Sequence, residues 1–187
     1  KVYGPPMHFT LINQSKCAVY PIACEAVNLE EVMQGFPCQV KGFPCQYLGL
    51  PLRLQKLRRV DVQPIIDKVS NRLATWKARF LNKAARLKLV NTVLSSIPVY
   101  FLMVVEPKKW MIKRIDKIRR GFLWRGVSEA KGGHCLVAWE TVKRPKFKGG
   151  LGVLDLEKFS RALRIRWLWY QWVDPDRPWV GSPVPCV

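Results

Sequence analysis

The chain has 187 residues, 49% of them hydrophobic and 24% charged, and its 32 Lys and Arg against 13 Asp and Glu give a net charge of +19. That apolar content excludes a disordered tail, and the length suits one or two small packed units with a real core. The longest apolar stretch, Val93 to Val105, is broken by Ser95, Ser96 and Pro98 and is shorter than the roughly 20 residues a membrane-spanning helix needs, so the chain reads as soluble and intracellular.

Residues 1–60 read as short strands and loops. Phe9 to Ile12 and Ala18 to Tyr20 are strand-like, Leu29 to Gln34 is a short helix candidate, and two Phe-Pro-Cys copies, at Phe36 and Phe43, interrupt the pattern. The second copy runs into Tyr47-Leu48-Gly49-Leu50-Pro51-Leu52, which reads as an apolar strand with a glycine where side-chain bulk is excluded. From Asp61 the period becomes helical. Asp61 is the expected N-cap, Pro64 falls in the first turn, and Val62, Ile65, Ile66, Val69, Leu73, Trp76 and Phe80 form one stripe. Asn82 caps a second helix with Leu87, Val90, Leu94, Ile97 and Phe101 on its apolar arc, and Pro98 is expected to kink or end it.

A third helix begins after Pro107, with Met111, Ile112, Ile115, Ile118 and Phe122 on one face and Lys113, Arg114, Lys117 and Arg120 on the other, and with Trp110 and Trp124 projecting among them. After a polar loop, His134 to Trp139 alternates like a strand with Cys135, Val137 and Trp139 on one side, and Gly149 to Val153 is its expected hairpin partner. Asp155 caps a last helix, Leu156 to about Trp172, apolar on two sides as befits a sandwiched element. The fold class expected is α+β, mostly helical: a small β-rich N-terminal part over residues 1–60, a helical bundle over 61–126, and a C-terminal hairpin with a helix over 127–187.

Catalysis finds little support. A nucleotidyl-transfer centre needs carboxylates that hold two divalent ions about 4 Å apart, yet of the six aspartates (Asp61, Asp67, Asp116, Asp155, Asp174, Asp176) only the last two are neighbours, separated by Pro175. His8 and His134 are the only histidines, and on a strand His134 and Cys135 point to opposite faces, which suits a core cysteine beside an exposed histidine. Cys24, Cys38, Cys45, His134 and Cys135 lack zinc-site spacing, and the six cysteines read as free thiols. Gly149, Gly150 and Gly152 form a tight turn, without the spacing of a phosphate cradle. No catalytic or metal residue is assigned.

The charge carries the remaining signal. Residues 51–148 hold 24 of the bases and only 6 acids, and such concentration serves contact with a polyanion, with nucleic acid as the default. The candidate contacts are Lys77, Arg79, Lys83, Arg86 and Lys88 around the junction of the first and second helices and Lys108, Lys109, Lys113, Arg114, Lys117 and Arg120 on the third, with the tryptophans as stacking surfaces. Arg86 falls inside an apolar arc, where an internal carbonyl or carboxylate competes with phosphate as its partner.

Several segments in series carry a resemblance: Phe43 to Leu52; Trp76-Lys77-Ala78 with Ala84-Ala85-Arg86-Leu87; Ser96 to Tyr100; Arg119 to Trp124; Gly133 to Trp139; Pro145-Lys146 with Gly149 to Gly152; and Arg166 to Trp169. Together they resemble the reverse transcriptase of plant LINE-type (non-LTR) retrotransposons, in the part that follows the polymerase palm. The resemblance implies that Ile12 to Lys16 is the end of the palm, that Tyr47, Leu48 and Gly49 are a primer-grip-like element, and that residues 61–125 are the thumb that holds the template-primer duplex. Ala85 stands where the family's Ala-Gly-Arg motif has glycine, a change that favours helix. The family's catalytic aspartate pair lies upstream of this stretch and its zinc-binding segment downstream. The chain is therefore expected to be part of a longer RNA-directed DNA polymerase, not an enzyme as it stands, with no cofactor of its own, Mg2+ belonging to the complete parent. The resemblance further implies RNA, DNA or their hybrid and the missing palm and fingers as partners, and a nuclear location. The alternative is a decayed genomic copy or a protein-interaction fragment without independent activity.

Overall fold

A computed structural model describes residues 17–22, 28, 31, 33, 38–72, 80–127, 135–177 and 180. The chain is α+β and mostly helical. It divides into two compact units, residues 1–57 and 58–187.

The first unit carries two small sheets. Strand β1 (Ala18–Val19) pairs parallel with β2 (Gln39–Val40), and β3 (Cys45–Tyr47) pairs antiparallel with β4 (Leu50–Leu52). Tyr47 lies opposite Leu50, which leaves Leu48 and Gly49 as a two-residue turn, both left-handed at φ 50° and 78°. Two positive φ values suit the right-handed twist of a tight hairpin. This corrects the reading of Tyr47 to Leu52 as one strand. A Cβ at Gly49 would meet nothing within 4 Å, so bulk is not excluded there as expected, and the positive φ is what favours glycine. Leu50 is the buried anchor of the hairpin. Phe9 to Ile12, and all of the helix candidate 29–34 except Glu31 and Met33, lie outside the described residues.

The second unit is a helical assembly. Helix α1 (Arg59–Asn71) starts three residues ahead of expectation, and Asp61 works from the third helical position: its Oδ2 accepts the Arg58 N–H at 2.7 Å. The carboxylate still satisfies an orphan donor, but Arg58 is the cap residue. Val62, Ile66 and Val69 turn inward, Phe80 is exposed, and Leu73 and Trp76 lie outside the described residues. Helix α2 (Lys83–Leu89) is capped by Asn82, whose Oδ1 accepts the Ala85 N–H at 2.8 Å, and it runs into one wide π turn over Val90–Leu94. There Ser95 donates both its N–H and its hydroxyl to Val90 O, at 3.0 and 2.7 Å. Pro98, which has no N–H to continue the ladder, ends the run and precedes α3 (Val99–Val104).

Helix α4 (Lys109–Arg125) is the spine of this unit and packs against both α1 and α2. Its buried face holds Met111, Ile112, Ile115, Ile118, Phe122 and Leu123. It ends at Gly126, where the N–H groups of Gly126 and Val127 donate to Phe122 O and Gly121 O. Helix α6 (Leu156–Val173) packs on α3, and the buried Ser160 hydroxyl donates to Leu102 O at 3.3 Å.

Among the described residues the expected C-terminal hairpin is not formed. Trp139–Lys143 closes a short helix, α5, followed by a 3-10 turn over Lys146–Lys148. Thr141 and Val142 donate to Ala138 O, and Lys143 pairs with Glu140 at 2.8 Å, so local bonds favour the helical turn. Cys135, Leu136 and Val137 are all exposed and Trp139 is half-buried against Arg119, so the apparent alternation does not mark a buried strand face, and Cys135 is not a core cysteine. Residues 150–153 instead double back on the end of α5, with Leu151 and Val153 donating to Val142 O and Gly152 to Arg144 O. A side chain at Gly150 would collide with the Arg144 carbonyl, which makes glycine obligatory there.

Candidate nucleic-acid interface

The buried face of α4 dictates what its other face presents. With the apolar residues turned inward, Lys109, Lys113 and Arg114 are exposed and Lys117 and Arg120 half-buried, and Lys108 stands exposed at the helix cap. Among its 17 residues α4 has one acid, Asp116, and that acid is buried. The helix therefore contributes a strong net positive charge to this surface. Arg120 Nε also donates to Asp116 O at 3.4 Å, which ties its guanidinium along the helix.

The bases of α2 divide. Lys83 and Lys88 are exposed, whereas Arg86 is half-buried and donates from Nη1 to Trp124 O at 3.4 Å. The Trp124 carbonyl is thus among the partners of Arg86. The contact joins α2 to the end of α4, so the exposed bases of both helices ride on one packed pair. Lys77 and Arg79 lie outside the described residues.

The tryptophans are placed differently from expectation. Trp110 is half-buried with the Arg59 guanidinium 5.4 Å from its ring centre. Trp124 lines an apolar cavity of about 400 Å³ together with Leu87, Leu123 and Val142, with Lys83 at its edge. Both rings are thus engaged inside the unit and neither is an open stacking surface.

Sequence reasoning missed Arg119. Its side chain is 0% exposed, and its guanidinium donates to Asp116 Oδ1 at 2.8 Å, Ser95 Oγ at 2.9 Å and Leu154 O at 2.7 Å, with the Trp139 ring centre 5.6 Å away. Burial pushes the Asp116 carboxyl up from its ordinary value against the pull of Arg119 and the Trp139 indole, and burial likewise lowers Arg119. A guanidinium stays protonated in a protein, so the pair is held by a fixed cation. The signal was present: position 119 falls four after Ile115 and three before Phe122, inside the apolar arc, as Arg86 does on its helix.

A second cluster sets the start of α6. Lys143 pairs with Asp155 at 3.1 Å, and Asp155 Oδ1 accepts the N–H groups of Glu157 and Lys158 at 3.2 and 3.3 Å. Burial works against both charges. The Lys143 ammonium and the cap bonds nonetheless hold Asp155 below the usual carboxylate range, and Glu140 and Asp155 hold Lys143 above the usual lysine value.

The primer-grip-like residues cap the hairpin of the first unit. Tyr47 and Leu48 are 62% and 69% exposed at its tip, with Gly49 between Leu48 and β4. Among the described residues no three His, Cys, Asp or Glu side chains are placed to hold a metal, and no helix is long and apolar enough to cross a membrane.

With this geometry in view, comparison with known proteins gives one partial likeness. The chain is 38% identical over 105 residues, 55% of its length, to the Arabidopsis thaliana protein named "Putative ribonuclease H protein At1g65750". It spans 17% of the length of that relative. No family model matches the chain, and no solved structure matches it.

Proposed function

We propose that this chain is a segment of a plant LINE-type retrotransposon reverse transcriptase, from the end of the palm through the thumb, and that its own role is to hold nucleic acid without catalysis. The likeness to a plant protein whose name reads "Putative ribonuclease H protein" supports a retroelement origin and nucleic acid as the partner class. The observation that carries the binding role is the surface of α4. Lys108, Lys109, Lys113 and Arg114 are exposed and Lys117 half-buried, on a helix whose one acid is buried with Arg119. Such a face tracks phosphates through charge and reads no base, so the binding is sequence-tolerant and strongly dependent on salt. The exposed tip Tyr47-Leu48-Gly49 serves in this reading as the element that touches the primer strand.

The test is a titration of the purified chain with a fluorescent RNA–DNA hybrid at several salt concentrations. Each phosphate contact contributes roughly 0.9 to the log–log slope for a B-form duplex and about 0.7 for a single strand. The combined variant Lys113→Glu, Arg114→Glu, Lys117→Glu is expected to flatten the slope by about two to three units and to weaken binding at every salt. A folded sample that fails to bind at low salt, or an unchanged slope in the variant, overturns the reading.

A further inference from the structure

Helix α6 is apolar on two sides, and the structure supplies a partner for one. Toward the core, Leu156 and Ser160 are buried and Phe159, Leu163 and Trp167 half-buried, on the side that meets α3. On the other side Ile165, Leu168, Trp169 and Trp172 are 54%, 41%, 56% and 78% exposed. Their spacing is i, i+3, i+4, i+7, the register in which one helix anchors on another. Single exposed apolar residues are ordinary on a protein surface; four on consecutive turns form a patch.

The chemistry beside the stripe selects its occupant. Arg161 and Arg166 flank it and are exposed, and the helix has one acid, Glu157, in its first turn. Arg161 stands one turn before Ile165, in line with the stripe, and Arg166 follows Ile165 with its guanidinium 5.6 and 5.8 Å from the ring centres of Trp167 and Tyr170, beside the stripe and not over it. A second copy would set the same arginines against these, between two chains of +19 each. Nucleic bases would need open, parallel ring faces, but Trp169 and Trp172 meet edge-on at 5.5 Å and 87°, and Ile165 and Leu168 offer aliphatic surface only. A helix with an apolar stripe bordered by Asp and Glu matches both the register and the charge.

We propose that the exposed face of α6, built on Ile165, Leu168, Trp169 and Trp172 and flanked by Arg161 and Arg166, docks an acidic amphipathic helix of a partner protein. The test uses two dye-labelled helical peptides with the same leucine stripe, one flanked by Glu and one by Lys, titrated into the whole chain by fluorescence anisotropy. The Glu-flanked peptide is expected to bind at least about tenfold tighter. Leu168→Ser with Trp172→Ser is expected to abolish that binding, and Arg161→Glu with Arg166→Glu to invert the preference. All four positions are exposed, and a thermal melt checks that the variants remain folded. Equal affinity for the two peptides, no saturable binding, or an affinity unchanged by Leu168→Ser/Trp172→Ser overturns the proposal, the last because a general positive field would then be the cause. Self-association abolished by that double variant, or hybrid binding lost with it, would assign the face to a second copy or to nucleic acid and overturn the proposal as well. Hybrid binding by α4 is expected to survive in the double variant, so this inference and the nucleic-acid reading fail separately.

Discussion

Arg119 donates to Asp116 on its own helix, to Ser95 at the end of the π turn and to Leu154 O just before α6, and its guanidinium faces the ring of Trp139 on α5. One side chain thus crosslinks four segments of the second unit. A buried ion pair contributes little net energy when complete, because desolvation offsets the attraction, but removing one partner strands the other. Arg119→Ala would leave the Asp116 carboxylate buried and Leu154 O without this donor. The expected loss is about 3–5 kcal/mol in urea unfolding. Arg119→Lys is also expected to destabilise, because a single ammonium on a flexible stem cannot reproduce a planar fork aimed at three acceptors. A loss below about 1 kcal/mol for the alanine variant would show that the network is dispensable.

At the scale of elements, the start of α6 depends on Asp155. Its carboxylate caps two N–H groups and pairs with Lys143, so Asp155→Ala removes cap and ion pair together and should cost roughly 1–2 kcal/mol. Asp155→Asn keeps a good cap and loses only the charge, with an expected cost below about 1 kcal/mol. The sign with pH follows from the direction of each shift. The depressed Asp155 value gives stability that is present above the ordinary carboxylate value of about 3.9 and is lost as pH falls through the lower folded value. The raised Lys143 value gives stability that is present below the ordinary lysine value of about 10.4 and is lost as pH rises past it. The gap between the native chain and Asp155→Asn should therefore be flat near neutral pH and close in acid, as urea midpoints measured across pH would show.

Elements of this kind were legible where a local signal agreed with the helical period. The caps Asn82 and Asp155, the break at Pro98 and the inward faces of α1 and α4 all follow from spacing and side-chain chemistry. The misreadings share a cause: two alternatives were locally equivalent and the choice lay in bonds distant in sequence. Tyr47 to Leu52 alternates well enough for one strand, and only the pairing of Cys45 with Leu52 shows that it turns. Cys135 to Trp139 alternates too, but Cys135 and Val137 on its expected inward side are exposed and Trp139 packs by Arg119 from a helix. Within the candidate interface the exposed bases of α4 were legible from the period, whereas the engagement of Trp110 by Arg59 and of Arg119 by Leu154 depends on segments far along the chain.

For the whole molecule, the field that attracts phosphate also opposes folding. Residues 51–148 hold 24 bases and 6 acids, and in the second unit Asp116, Asp155 and Glu140 are already committed to Arg119 and Lys143. The excess of like charge over this stretch repels itself within a small volume. Raising salt from about 10 mM to about 150 mM shortens the screening length from about 30 Å to about 8 Å, which relieves that repulsion. The melting temperature should rise by a few degrees, about 2–4 °C for each kcal/mol relieved in a chain of this size. Hybrid binding should weaken over the same interval, because the same ions compete for the phosphates. The combined variant Lys113→Glu, Arg114→Glu, Lys117→Glu lowers the net charge by two at each site, so it should bind the hybrid less tightly and yet melt at a higher temperature than the native chain at low salt, with the two melts converging as salt is added. Melts of both proteins across the salt series, with and without hybrid, measure the two effects on one sample. A native melting temperature that falls with added salt would mean that the ion pairs outweigh the repulsion. The positive face of α4 would then have to be read as part of the internal packing of the fold instead of as a surface kept charged, against its own stability, for a polyanion.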